Sequence, residues 1–189
     1  MLPNDHRWPL LNLLDDYLTF SPDEAEVVKR YQYFVSENSD CFERGLQVGH
    51  VTGSALVLDS SCRRVLLTHH RKLNKWLQPG GHADGDADIK RVGMREALEE
   101  TGLPLIKTIM DGLLDVDIHV IPARKDEPEH LHYDCRLLLS SGGPDTFTIS
   151  DESNDLAWVP MDRISDYTSE ASIMRMIEKA RKIILNLSK

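Results

Sequence analysis

The sequence predicts an α/β protein, a three-layer α/β/α sandwich built on a mixed β-sheet. Three observations point there. Apolar residues recur at helical spacing in separate segments near the start, the middle and the end of the chain. Between those segments lie short runs rich in Val, Ile and Leu, bounded by turn residues, which read as strands. At 189 residues the chain is long enough for one domain with a sizeable core and too short for two. Strands mixed with flanking helices suit a layered α/β arrangement.

Residues 1–44 read as an N-terminal helical extension of the same domain, which continues over 45–189. Trp8, Leu11, Leu14 and Leu18, then Val27, Val28, Tyr31, Phe34 and Val35, keep helical spacing. Ser21 and Pro22 interrupt them as an N-cap and a first helical position. Val51 to Asp59 and Arg64 to His69 form a strand pair around the turn Asp59-Ser60-Ser61. Trp76 and Leu77 are a short extended piece before Pro79-Gly80-Gly81 turns the chain. A helix follows from Asp88 to Glu100, with Gly102 as its C-cap. Leu113 to Ile121 and Leu131 to Leu139 read as strands, joined by the charged loop ARKDEPEH, a mobile segment of the kind that faces substrate. Ser141 to Asp145 is a turn, Leu156 to Val159 a last strand, and Glu170 to Leu187 a helix with Ile173, Ile177, Ala180 and Ile184 on one stripe.

The chemistry concentrates between Gly80 and Leu103. Glu96, Glu99 and Glu100 are neighbours at i, i+3 and i+4 on one helix, and like charges so placed oppose the helix unless something positive offsets them. A solvated acidic face is the plainer alternative. Against it, Ile89, Val92, Gly93 and Ala97 flank the glutamates on the face that ordinarily meets a core. A hard divalent cation, Mg2+ or Mn2+, suits a cluster of carboxylates without His or Cys.

The same segment resembles the Nudix box. That pattern is Gly, five residues, Glu, seven residues, then Arg-Glu-apolar-any-Glu-Glu-any-Gly-apolar. Gly81 and the run from Arg95 to Leu103 meet every fixed or class position but one, since Ala87 stands where the family's first Glu belongs. The resemblance implies the Nudix α/β/α sandwich and hydrolysis of a diphosphate linkage in a nucleoside diphosphate derivative or nucleotide. It also implies Mg2+ or Mn2+ held by Glu96, Glu99, Glu100 and the backbone carbonyl of Gly80. Arg95 either orients a neighbouring carboxylate or forms an i,i+4 salt bridge to Glu99. Asp86 and Asp88 flank the gap at Ala87; either can substitute for the missing Glu, and Asp88 equally suits an N-cap. His82 lies in the loop GHADGD, similar to a variant loop of some Nudix proteins, and either faces phosphate or closes the turn.

Glu152 is the candidate general base, because ADP-ribose-type Nudix members carry catalytic acids in the loop before the last strand; Asp151 is the weaker competitor. His130, His132 and Asp134 alternate and so share a strand face, with His119 nearby. They either bind a second metal or a phosphate, or the histidines simply bond to Asp134. Trp76, Trp158 and Tyr133 serve as core or as stacking platforms for a base.

The net charge of −9, with no run of Lys or Arg, lacks the footprint of a protein that binds long nucleic acids. The expected partner is a small phosphorylated molecule, with a homodimer as a further option for the N-terminal helices. Cys41, Cys62 and Cys135 show no CxxC spacing, which points away from a disulfide framework and toward a reduced cytosol. No leader-like segment or long apolar span stands out. Two other functions compete with hydrolysis. A ligand-binding or regulatory Nudix-like domain without turnover is suggested by Ala87, while isoprenoid diphosphate isomerisation needs Cys and Glu motifs that none of the three cysteines supplies.

Overall fold

The computed structural model describes residues 5–124 and 127–187. Helices α1 (Trp8–Phe20) and α2 (Ala25–Glu37) open the chain, joined by a 3-10 turn at Pro22–Glu24. Ser21 is not the expected side-chain cap. Its backbone N–H returns to Tyr17 O at 2.8 Å, and the helix proper starts only at Ala25. The helical stretch also ends at Glu37, well before residue 44, because Asn38 is extended.

The strands are β1 (Gly49–Leu58), β2 (Arg64–His70), β3 (Lys75–Leu77), β4 (Gly80–His82), β5 (Ile106–Thr108), β6 (Asp115–Ile121), β7 (His130–Ser141) and β8 (Ser153–Pro160). Helix α3 (Ile89–Thr101) lies between β4 and β5, and α4 (Ala171–Leu187) follows β8. The short strands β4 and β5 carry no alternation of their own and take their conformation from their partners. The charged tip of the β6–β7 loop, Lys125 and Asp126, lies outside the described residues.

Strand β1 is the axis of the sheet. It runs parallel to β7, from Gly49 opposite Leu131 to Leu58 opposite Ser140. On its other side it pairs antiparallel with β4 at residues 52–54 and with β2 at residues 57–58. The partner thus changes partway along β1, and the sheet forks. Strand β8 adds antiparallel to β2, and both β5 and β6 add antiparallel to β7. One parallel pair among antiparallel ones makes the sheet mixed.

Every residue of β1 is buried, which suits the unbroken apolar stretch from Ala55 to Leu58. Val51, Ala55 and Val57 of β1, with Tyr133, Cys135, Leu137 and Leu139 of β7, join α1, α2 and α3 in one core. Leu56, Leu58 and Leu138 face the opposite way and meet Ile173, Met176, Ile177 and Ala180 of α4. The N-terminal helices therefore cover the sheet: Phe34 stacks on Tyr133 at 3.7 Å, and the Tyr31 hydroxyl donates to Tyr133 O at 2.6 Å.

Three carboxylates, Asp115 and Asp134 buried and Asp117 half-buried, hold the α4 face together. Asp134 accepts from Thr52 Oγ1 at 3.0 Å, Ser54 Oγ at 2.8 Å and Arg136 Nε at 2.8 Å. Arg136, only 2% exposed, also donates to Asp115 and Asp117. Arg175 and Lys179 of α4 close on Asp115, and Lys179 Nζ continues to Glu24 and Tyr17 at 2.6 Å each. A buried Arg needs such multiple pairing to offset its desolvation.

Candidate active site

Helix α3 is held in register at both ends. Asp88 caps it, accepting from Arg91 N at 3.1 Å, and Gly102 ends it in the left-handed region with φ 60°. Asp86 pairs with the Arg91 guanidinium. Both acids that flank Ala87 thus have local structural tasks, neither lines the cavity described below, and Ala87 packs against the core. Val92, Gly93 and Ala97 are buried against the sheet, so the next face of the helix turns toward the fork.

At the fork lies a cavity of about 620 Å³. Its walls include Glu96, Glu99, Glu100 and Arg95 from α3, Gly80 and His82 from β4, His130 and His132 from β7, and Glu152 from the turn before β8. Asp151 does not line it. The three helix carboxylates are graded: Glu100 is 7% exposed, Glu96 is half-buried and Glu99 is exposed. Glu100 accepts from the Gly80 N–H at 3.0 Å. Burial pushes the Glu100 carboxyl up to about 7, with Glu152 and Glu96 adding to the rise, while the Gly80 bond works against it. Burial likewise raises Glu96, although Arg95 opposes this.

Arg95 orients its immediate neighbour. Its Nη2 donates to Glu96 Oε1 at 2.6 Å and to the carbonyl of His82 at 2.9 Å, so the i,i+4 bridge to Glu99 is not the arrangement found. The Gly80-Gly81 turn is as tight as it must be. A Cβ on Gly81 would lie 2.6 Å from Glu96 Cδ, and a Cβ on Gly80 would overlap the backbone of Ser54. Glu152 is fixed from behind, its carbonyl accepting from Arg71 N at 2.9 Å.

The histidines gather differently from the expectation of bonds to Asp134, whose oxygens go to Thr52, Ser54 and Arg136. His132 packs beside His50, with ring centroids 4.7 Å apart, and beside His130, His82 and His119. Burial first, and the neighbouring histidines with it, bring the imidazole of His132 down to about 2 and that of His50 to about 4. Both are therefore uncharged at neutral pH. His82 sits in β4 opposite Thr52, and burial lowers it as well. His119 Nδ1 bonds instead to Asp117 at 3.0 Å.

Sequence reasoning missed His50, and it missed the cationic wall formed by Arg44, Lys72 and Arg124. His50 enters only because β1 and β7 are parallel neighbours, a pairing with no local signal. The aromatic residues stay out of the cavity: Tyr133 packs under α2, Trp76 stacks on His69, and Trp158 Nε1 donates to Asp145 O at 2.7 Å.

A forked mixed sheet, with an acidic helix set beside a Gly-Gly turn, defines a Nudix-type architecture, and the family model described as the NUDIX domain matches residues 49–180. The chain belongs to the Nudix hydrolase family. It is similar to the m7GpppN-mRNA hydrolase NUDT17 of Danio rerio, 40% identical over 76 residues, which are 38% of this chain and 24% of that protein. The human NUDT17 is 37% identical over 68 residues, 33% of this chain and 20% of its own length. The chain thus matches about a quarter or less of these curated relatives. Among solved structures, a C. elegans Ap4A hydrolase in a binary complex superposes with a TM-score of 0.59 at 16% identity, covering 72% of this chain and 98% of that one. RenU, a Nudix hydrolase of M. smegmatis, gives 0.54 at 17% identity, covering 74% and 88%. At such identities the likeness concerns the fold. Among the described residues no helix is long and apolar enough to cross a membrane.

Proposed function

We propose that this chain hydrolyses a diphosphate linkage in a nucleoside diphosphate derivative or nucleotide, with Mg2+ or Mn2+ as cofactor. One observation carries the reading. Glu96, Glu99, Glu100 and Glu152 come from two distant parts of the chain and converge on one cavity, where burial already raises two of them. Such a set is costly unless a cation shares it. The donors are all oxygens, which fits a hard divalent ion, and Glu96, Glu99, Glu100 and the Gly80 carbonyl are the residues that would hold it. A bound cation would neutralise phosphate charge and lower the pKa of water there.

The protein's own groups do the rest. Arg95, anchored on the His82 carbonyl, holds Glu96 in place. The Gly80 N–H keeps one oxygen of Glu100 directed into the turn. Glu152, opposite the helix carboxylates, takes the proton from the attacking water. Lys72 and Arg124 face an anionic substrate, and His82, His130 and His132 line the wall its phosphates or sugar would meet. A small phosphorylated substrate fits a cavity of this size. The names of the relatives, one acting on m7GpppN-mRNA and another on Ap4A, support a nucleotide as the substrate class.

Binding without turnover is the second reading, and the packing of Ala87 against the core is what favours it. Release of phosphomonoester or pyrophosphate from nucleotide sugars, dinucleotides, nucleoside triphosphates, capped dinucleotides and ADP-ribose decides between them, measured with Mg2+, Mn2+ or EDTA. EDTA-sensitive turnover supports the hydrolase. Ligand-induced melting shifts without turnover on any substrate support the binding domain.

A further inference from the structure

Three histidines of the cavity region make a site of a different chemistry from the glutamates. His50 and His132 lie side by side in the parallel register of β1 and β7, and His130 is one same-face position along. One nitrogen from each of the three lies within 4.8 Å of the other two. His50 is 3% exposed, and both of its ring nitrogens, together with Nε2 of His132, are buried with no hydrogen-bond partner among the described residues. Buried polar nitrogens are ordinarily satisfied, so three orphans in one cluster point to a missing partner. No described side chain bonds these nitrogens, although the rings of His82 and His119 pack against the cluster, whereas a cation can take a lone pair from each of the three rings. The third ring is already prepared: His130 Nδ1 donates to Pro128 O at 2.9 Å, which leaves its Nε2 lone pair free and its plane fixed.

We propose that His50, His130 and His132 form a binding site for a transition-metal ion of the zinc type, separate from the carboxylates of α3. Imidazole nitrogens suit zinc and its neighbours, while Mg2+ prefers oxygen, so the two donor sets would not compete for one ion. Zinc–nitrogen bonds of about 2.0–2.1 Å in a tetrahedron set the nitrogens about 3.4 Å apart, so each ring needs to move by under about 1 Å. Three protein ligands leave the fourth position to water or to an anionic ligand in the cavity. The inference uses none of the glutamates and does not rest on the hydrolase reading.

The test uses the full chain without an affinity tag, stripped with EDTA and titrated with Co2+ as a spectroscopic stand-in for zinc. One equivalent should bind with visible absorption typical of nitrogen and oxygen ligands, without the intense near-ultraviolet band of cobalt–thiolate, and Zn2+ should displace it. His50→Gln and His132→Gln should each weaken Co2+ by at least about a hundredfold. His130→Gln, at a less buried position, should do the same with an unchanged melting profile, which guards against loss of fold in the other two. Glu96→Gln and Glu100→Gln should leave Co2+ affinity as it is. Absence of stoichiometric binding, a thiolate spectrum, or loss of affinity in the glutamate variants but not in the histidine variants would each overturn the site.

Discussion

Substituting Gly81 by alanine separates the site from the fold. The added methyl would lie 2.6 Å from Glu96 Cδ, against an ordinary contact of 3.4–4 Å, so the carboxylate must retreat by about 1 Å. The obstacle is the far end of a flexible side chain, so the fold gives way cheaply. A displacement of that size at a catalytic centre costs about a hundredfold in rate, equivalent to about 2.7 kcal/mol in the barrier. Gly80→Ala makes the opposite case. Its methyl would strike Ser54 Cα and approach Gly53 O, both backbone, so β4 must leave β1 and stability should fall by several degrees or more. The assay pairs EDTA-sensitive release of the phosphomonoester product and Mn2+ affinity with thermal melting. Gly81→Ala should lose about two orders of magnitude in kcat, bind Mn2+ more weakly and melt within a few degrees of the native chain, while Gly80→Ala should melt early. Native rate and Mn2+ affinity in Gly81→Ala would refute the placement of Glu96 at the cation.

Three further outcomes are expected. Glu99→Gln or Glu100→Gln should lower kcat by about two to three orders of magnitude; melting should not worsen in Glu100→Gln, because the amide oxygen still accepts from Gly80, and unchanged turnover would remove both from the site. Ala87→Glu should change the rate by less than about threefold, since Arg95 is already held by Glu96 and the His82 carbonyl; a gain above about tenfold would mark the native box as impaired. Asp117 is half-buried, which by itself raises its carboxyl, but His119, Arg136 and Arg175 together hold it well below the usual carboxylate range. Its stabilisation is therefore complete above the unfolded pKa of about 4 and fades as pH falls below that. Asp117→Asn should cost about 2 kcal/mol at pH 7, with the gap to the native chain narrowing in denaturant titrations below about pH 4, and a gap independent of pH would contradict the pairing.

Local chemistry was legible and long-range pairing was not. The acidic helix, its glycine C-cap and the buried flank of Val92, Gly93 and Ala97 all follow from spacing within one turn or two, and the structure has them. The strands β1, β2, β6, β7 and β8 were legible from apolar runs, though β7 and β8 extend further at both ends because their partners continue. Strands β4 and β5 carry three residues each and owe their state to β1 and β7. The start of α2 was misplaced because Ser-Pro signals a helical beginning without distinguishing a 3-10 turn from an α-helix. The glutamates of α3 could be read from a helical wheel, while His50, buried beside His132, needed knowledge of which strand lies beside β7. The cost of Arg136, a fully buried cation, was equally invisible until Asp115, Asp117 and Asp134 surrounded it.

Lys179 touches Asp115 in the sheet and Tyr17 and Glu24 in the N-terminal segment, so the first and last helical parts of the chain grip each other across one edge of the sheet. The family's borders, residues 49–180, cut through that grip. A fragment trimmed to them keeps every glutamate of the acidic helix, but it uncovers Tyr133 and Cys135 and leaves Lys179 without two of its three oxygens. We expect such a fragment to aggregate rather than to work as a smaller enzyme, because the borders of a recurring sequence pattern and the borders of a cooperative folding unit are drawn by different physics.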